Sequence, residues 1–126
     1  MIEWTPNLST GVPVLDEQHK AIFQWLAELE SATAERRTLF GVYVITRLKH
    51  YMREHFAAEE AMMKAAGYPD LAQHQAEHAE FRAKLEELQL RSIGEDISAD
   101  TVNFLNHWLT NHIARTDMVY VPYLKR

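Results

Sequence analysis

The chain contains no cysteine, and this absence limits the chemistry of any metal site that it could hold. Disulfides, cysteine-bound zinc, cysteine-bound iron–sulfur clusters and c-type haem attachment are excluded, because each of them needs a cysteine sulfur. A metal ion bound by this protein must therefore be held by nitrogen and oxygen ligands.

Long apolar runs and an excess of basic residues are also lacking in the 126 residues. The first residues, MIEWTPNLSTGVPVLDEQH, include no apolar segment of the kind found in a secretory signal, and no stretch is long enough to span a bilayer. A formal net charge of -5 leaves no surplus of lysine and arginine for binding phosphates. We therefore expect a cytoplasmic protein that neither inserts into a membrane nor binds nucleic acid. We also expect a monomer, although no sequence feature decides the oligomeric state.

Glycine and proline are scarce, with 4 of each, and between them apolar residues recur at spacings of three and four, which is typical of amphipathic helices. The length is typical of one domain, so we expect residues 1–126 to form a single domain. Four helices with short connections predict an all-α fold, an antiparallel up-down-up-down four-helix bundle with a short N-terminal extended arm. The first predicted helix runs from Asp16 as N-cap to about Ala34, and the second from Leu39 to Ala65. A capping box of Asp70 and Gln73 opens the third, whose apolar stripe reaches Leu88, and Ser98 caps the fourth, which continues toward Asp117.

Histidines and carboxylates interrupt the apolar stripe of each predicted helix. In an antiparallel bundle these interruptions fall at the same end, so we expect the side chains to converge. Each polar group buried there without a partner would cost roughly 1 to 3 kcal/mol, and a metal ion would remove that cost. Asp117 fits least well, because on a regular helix it lies about 140° from His112 and would need offset side chains or a bend. The candidates are His19, His55, Glu59, His74, His78, His112 and Asp117.

Other histidines and glutamates lie off these stripes. His50 and His107 each precede a candidate ligand by a spacing that turns them about 140° around the helix, so we expect both to point elsewhere. Glu60 and Glu77 each adjoin a candidate ligand, but they lie about 100° off its face. We interpret these two glutamates as solvated surface charges.

The stretch His74-Gln-Ala-Glu-His78 matches the H-x-x-E-H pattern of one class of zinc peptidase. That hypothesis leaves His19, His55 and Glu59 unexplained. Five histidines and two carboxylates exceed the three or four protein ligands of a tetrahedral zinc, and they suit two metal ions, which a carboxylate can bridge. A ferritin-type iron site is disfavoured, because no histidine follows a glutamate at the Glu-x-x-His spacing.

The segments that carry these residues resemble the hemerythrin family, specifically its bacterial single-domain members. The resemblance implies two iron ions joined by an oxo or hydroxo bridge, and reversible O2 binding for transport, storage or delivery. The matching segments are Asp16-Glu-Gln-His19-Lys, His55-Phe-Ala-Ala-Glu59-Glu60, His74-Gln-Ala-Glu-His78, and Trp108-Leu-Thr-Asn-His112-Ile with Asp117.

The family's residue roles also carry over to this sequence as implications of the resemblance. One iron would take His74, His78 and His112, the other His19 and His55, and the bridges would be Glu59 and Asp117. The iron with two histidines would keep an open position for O2. An apolar pocket over that position would be lined by Ile22, Trp108, Leu109 and Ile113, and the flanking aromatic residues would be Tyr68 and Tyr120.

Three functions remain open for such a site. We expect an O2-binding protein rather than an enzyme, one that could serve an unidentified oxygen-using protein. The alternatives are a di-iron enzyme that reduces peroxide or nitric oxide, and an O2 or redox sensor module. The ligands alone do not distinguish between these functions.

Overall fold

The computed structural model describes residues 3–124, and these residues form a bundle of helices without any β-strand. The expected all-α four-helix bundle with a short N-terminal arm is confirmed. Within the described residues no helix has the length and apolar character needed to cross a membrane. The helices are α1 (Pro13–Ser31), α2 (Ala34–Ala65), α3 (Leu71–Arg91), α4 (Ser98–Trp108), a π-helical segment (Leu109–Thr116) and α5 (Asp117–Leu124).

The last three segments follow one another without a break and form the fourth rod of the bundle. Helix α2 packs against α1, α3 and α4, and α1 also packs against α4. The arm includes one 3₁₀ turn, Pro6–Leu8. This packing brings the start of α1, the end of α2, the start of α3 and the end of the fourth rod together.

The first helix starts earlier than predicted, at Pro13 rather than after Asp16. Proline is favoured at the first helical position, because its fixed φ suits the helix and its missing N–H would have no partner there. The Asp16 carboxylate instead accepts hydrogen bonds from Ser9 Oγ at 2.6 Å, Thr10 N at 2.7 Å and Thr10 Oγ1 at 2.8 Å. Burial would raise the pKa of Asp16, but these hydrogen bonds lower it. Asp16 therefore fastens the arm to α1.

Three further details of the helix ends differ from the predictions. Ala34, the predicted end of the first helix, is the first residue of α2, which therefore begins before Leu39. Asp70 occupies the N-cap position of α3, but its side chain makes no capping hydrogen bond, so the predicted capping box does not form. Ser98, predicted to cap the last helix, is instead the first residue of α4, and its N–H donates to Asp96 Oδ1 at 2.9 Å.

A tight reversal joins α2 to α3 at Gly67, whose φ of 71° lies in the left-handed region that favours glycine. Gly67 N–H donates to the Lys64 carbonyl at 3.1 Å, and Tyr68 N–H donates to the Met63 carbonyl at 3.0 Å. This pair of hydrogen bonds is the Schellman arrangement that ends many helices. It places the start of α3 beside the end of α2.

The buried apolar residues form two clusters, one on each side of a polar layer. Along α1, Leu15 belongs to the smaller cluster and Ile22 to the larger, with buried His19 between them. The larger cluster includes Ile22, Leu26, Met52, Phe56, Phe81, Leu105, Trp108, Leu109 and Ile113. The smaller cluster consists of Leu15, Met63, Tyr68, Tyr120 and Val121.

We predict that Asp16→Ala lowers the free energy of unfolding by about 1–2 kcal/mol, because the hydrogen bonds of the arm lose their charged acceptor. Glu17→Ala is the control, since Glu17 is 73% exposed and pairs with Lys20 in the same helix. It should change the stability by no more than about 0.5 kcal/mol. Urea unfolding followed by circular dichroism measures both variants, and equal losses would contradict the proposed fastening role.

Candidate metal centre

The structure brings all seven candidate ligands into one buried layer between the two apolar clusters. None of their side chains is more than 2% exposed. They form two overlapping groups in which one ligand atom from each residue lies within 4.8 Å of the others. The three-histidine group consists of His74, His78, His112, Glu59 and Asp117, and the two-histidine group of His19, His55, Glu59 and Asp117.

In the three-histidine group every Nε2 atom faces a carboxylate oxygen. Glu59 Oε1 lies 2.9 Å from His78 Nε2 and 3.1 Å from His74 Nε2. Asp117 Oδ1 lies 2.8 Å from His74 Nε2 and 2.9 Å from His112 Nε2. One oxygen of each carboxylate therefore serves this group.

The other oxygen of each carboxylate faces the two-histidine group. Glu59 Oε2 lies 3.5 Å from His19 Nε2 and 3.7 Å from His55 Nε2, while Asp117 Oδ2 lies 3.3 Å from His19 Nε2. Each of these two carboxylates thus directs one oxygen to the three-histidine group and the other oxygen to the two-histidine group. This arrangement can bridge two metal ions.

The π-helical segment explains how Asp117 reaches the layer. Its backbone N–H donates to the carbonyl of His112, five residues earlier, which is the π-helical hydrogen bond. A wider turn brings residues five apart closer to the same face than an α-helix does. The departure from a regular helix that Asp117 was expected to need is therefore this π-helical segment. Isolated π turns of this kind are frequently found at functional sites.

Aromatic side chains hold several of the candidate ligands in place. Tyr120 donates its hydroxyl hydrogen to Glu59 Oε2 at 2.8 Å, and burial together with the Glu59 charge raises the pKa of Tyr120. The ring of Trp108 stacks on His112 with centroids 3.9 Å apart, and Phe56 stacks on His78 with centroids 3.7 Å apart. These rings restrict the rotation of the two imidazoles.

The two carboxylates remain ionised in the metal-free protein. Burial would raise the pKa of Glu59, but the surrounding histidines, His19 first among them, hold it well below its usual value. Burial and the neighbouring Glu59 would likewise raise the pKa of Asp117, but His112 and His19 lower it. The layer therefore holds two buried negative charges that need compensation.

The histidines supply this compensation unequally. Burial would lower the pKa of His19 and His74, but contacts with Asp117 and Glu59 raise both values to about 9. Burial lowers the pKa of His55 to about 4, so this ring is neutral. The two carboxylates thus favour a proton on His19 and His74, and bound metal ions would supply the same positive charge.

The donor atoms fit metal ions better than they fit one another. Within the described residues, Nε2 of His19, His78 and His112 and both oxygens of Asp117 make no hydrogen bond, although each lies 3.3 Å or less from an opposing atom. Buried polar atoms without partners are costly. Imidazole nitrogen and carboxylate oxygen are suitable ligands for divalent transition metals.

Two glutamates that we interpreted as solvated surface charges instead contact the histidines from outside. His78 Nδ1 lies 2.7 Å from Glu60 Oε2, and His112 Nδ1 lies 3.3 Å from Glu77 Oε1. Glu60 is 23% exposed and Glu77 27%. The surface interpretation is therefore wrong for both residues.

Gln18 makes the corresponding contact with His55, whose Nδ1 lies 2.6 Å from the amide oxygen Oε1. Gln18 was not among the candidate site residues. Its one available signal is that Gln18, like Glu60 and Glu77, is the immediate neighbour of a candidate ligand. The histidine that it contacts lies on the next helix, so the spacing along one helix could not identify the pair.

The residues expected to line an apolar pocket are all buried in the larger cluster: Ile22, Leu109 and Ile113 are at most 1% exposed and Trp108 is 8% exposed. A surface cavity of about 290 Å³ reaches His112 between α3 and the fourth rod. Glu77 and Trp108 are among its lining residues.

Comparison with known proteins gives a consistent result. Residues 10–124 match the family model of the hemerythrin HHE cation binding domain. The chain is 38% identical over 127 residues to a bacteriohemerythrin of Stenotrophomonas maltophilia, covering 99% of this chain and 82% of that protein. It is 35% identical over 128 residues to a bacteriohemerythrin of Methylococcus capsulatus, covering 98% of this chain and 97% of that protein.

A solved crystal structure of a wild-type hemerythrin also superimposes on the chain, with a TM-score of 0.84 and 34% sequence identity. The match covers 100% of this chain and 99% of that one. The whole bundle, including the buried polar layer, therefore falls within the matched region.

We predict that His78→Ala lowers the metal content to about one ion per chain or less, because it removes a nitrogen from the three-histidine group. His107→Ala and His50→Ala are controls, since both residues are exposed and belong to neither group. Both controls should retain about two ions per chain. Elemental analysis after anaerobic reconstitution with Fe²⁺ measures this, and equal loss in all three variants would contradict the placement of the site.

Proposed function

The chain belongs to the hemerythrin family, and on this premise we propose that it binds O2 reversibly at a non-haem di-iron site, as a carrier, store or delivery protein. The observation that supports this proposal most directly is the division of Glu59 and Asp117 between the two histidine groups. A carboxylate shared in this way can hold two ions side by side. A single-zinc peptidase would not need such sharing.

We assign His74, His78 and His112 to one iron, His19 and His55 to the other, and Glu59 and Asp117 to both. When bound, the iron pair with its oxo or hydroxo bridge would supply the redox chemistry that reversible O2 binding requires. The histidine count differs between the two groups, so the two-histidine iron is the one with room for a further ligand. O2 would take this position.

The residues around the layer favour binding over turnover. Ile22, Leu109 and Ile113 carry no ionisable group, and the two apolar clusters limit the access of water and protons to the layer. Each site histidine is assigned to metal, and the hydroxyl of Tyr120 is committed to Glu59 with a raised pKa. A general acid for reducing bound O2 further is therefore lacking among these residues.

We expect the reduced, iron-loaded protein to gain a visible absorption band when exposed to O2, and to lose it under vacuum over repeated cycles. The expected reversibility follows from the lack of a proton donor beside the open position. Optical spectra recorded anaerobically, in air and after O2 removal measure it. A band that never reverses would exclude the carrier function, and many turnovers of peroxide or nitric oxide per site would favour the enzyme instead.

Leu109→Asn should accelerate irreversible oxidation of the iron without reducing the iron content, because a polar side chain would admit water and protons beside the open position. Leu105→Asn is the matched control, since Leu105 is equally buried in the same cluster but lies one turn further from His112. The decay of the oxygenated band with time gives the rate for each variant. Equal acceleration in both would indicate general loosening of the core rather than a specific pocket.

A further inference from the structure

Three of the five site histidines receive a contact on their outer nitrogen, and the three contacts follow one rule. In each case a residue adjacent to a ligand on one helix contacts a ligand histidine on the next helix along the chain. The pairs are Gln18 with His55, Glu60 with His78, and Glu77 with His112.

The two groups differ in the charge of these outer partners. The three-histidine group receives two carboxylates, Glu60 and Glu77, whereas the two-histidine group receives one neutral amide, Gln18. We propose that Glu60 and Glu77 are positioning residues that make the three-histidine group the tighter of the two metal sites, so that the two ions bind in a fixed order. This inference rests on the ligand assignment of the proposed function.

The physical basis is the effect of an outer hydrogen bond on a metal-binding imidazole. A hydrogen bond from Nδ1–H fixes the tautomer, orients the ring and makes Nε2 a stronger ligand. A carboxylate acceptor does this more strongly than an amide, because hydrogen bonds to ionised groups are the stronger ones. Loss of such a partner typically lowers metal affinity by roughly 10–100-fold. Since Glu60 and Glu77 are partly exposed, we expect the lower end of that range.

The balance of charge leads to the same conclusion. Two divalent ions carry four positive charges, of which the shared Glu59 and Asp117 offset two. Glu60 and Glu77 offset the other two, and both lie on the side of the three-histidine group. The four charges balance in sum, but the negative charge is concentrated around the three-histidine group, and the two-histidine side, where the proposed open position lies, has the smaller share.

The test is an anaerobic titration of the metal-free protein with Co²⁺, followed by calorimetry and by visible absorption. The wild-type protein should show two separable binding steps. Glu60→Gln and Glu77→Gln keep the side-chain size but remove the charge, and each should weaken the first step by about 10-fold while leaving the second nearly unchanged. Gln18→Glu should tighten the second step by about 10-fold.

Glu54→Gln is the matched control, because Glu54 also adjoins a ligand, His55, but is exposed and contacts no site histidine. It should change neither step, and His55→Ala should lose only the second. Circular dichroism checks that each variant is folded. Unchanged binding by Glu60→Gln and Glu77→Gln, or an equal effect of Glu54→Gln, would overturn the inference. A wild-type protein that binds no second ion would overturn the proposed function itself, so the two failures are distinguishable.

Discussion

The burial of two carboxylates, Glu59 and Asp117, is the constraint on which the metal end of the bundle depends. A buried charge is tolerated only when it is paired, because leaving it unpaired costs far more than a typical hydrogen bond contributes. Here the pairing groups come from every rod of the bundle: His19 from α1, His55 from α2, His74 and His78 from α3, and His112 from the π segment. The relative positions of the helices are therefore set by charge pairing as well as by apolar packing.

The same constraint accounts for the π-helical stretch of backbone in the fourth rod. His112 and Asp117 must both face the layer, and on a continuous α-helix they would point about 140° apart. The π segment brings them onto one face, at the cost of a less favourable backbone geometry. Trp108, which stacks on His112, precedes the segment, and Asp117 follows it, so the irregularity lies between a residue that packs on the site and a candidate ligand.

The fold and the composition of the polar layer could be predicted because both depend on the helical period. Apolar spacing locates the helices, and antiparallel topology then brings their polar interruptions to one end. Contacts that depend on the rotation of one helix against another could not be predicted. The interactions of Glu60 and Glu77 with histidines are of this kind, since a single-helix pattern shows only that both residues lie off the ligand face. The role of Asp16 in holding the arm was missed because Asp16 was taken as the N-cap. The helix begins at Pro13 instead, which leaves the Asp16 carboxylate to bind the arm.

The outer contacts also bear on the handedness of the bundle. Four antiparallel helices can follow one another clockwise or anticlockwise, and an apolar stripe alone suits both arrangements. On α1 and α3 the contacting residues, Gln18 and Glu77, precede their neighbouring ligand, whereas on α2 Glu60 follows it. Successive residues turn by about 100°, and alternate helices run in opposite directions. Viewed from one end of the bundle, all three side chains therefore point the same way around its axis. In the mirror arrangement all three would face away from the histidines that they contact, so these single-residue offsets favour one chirality of the bundle.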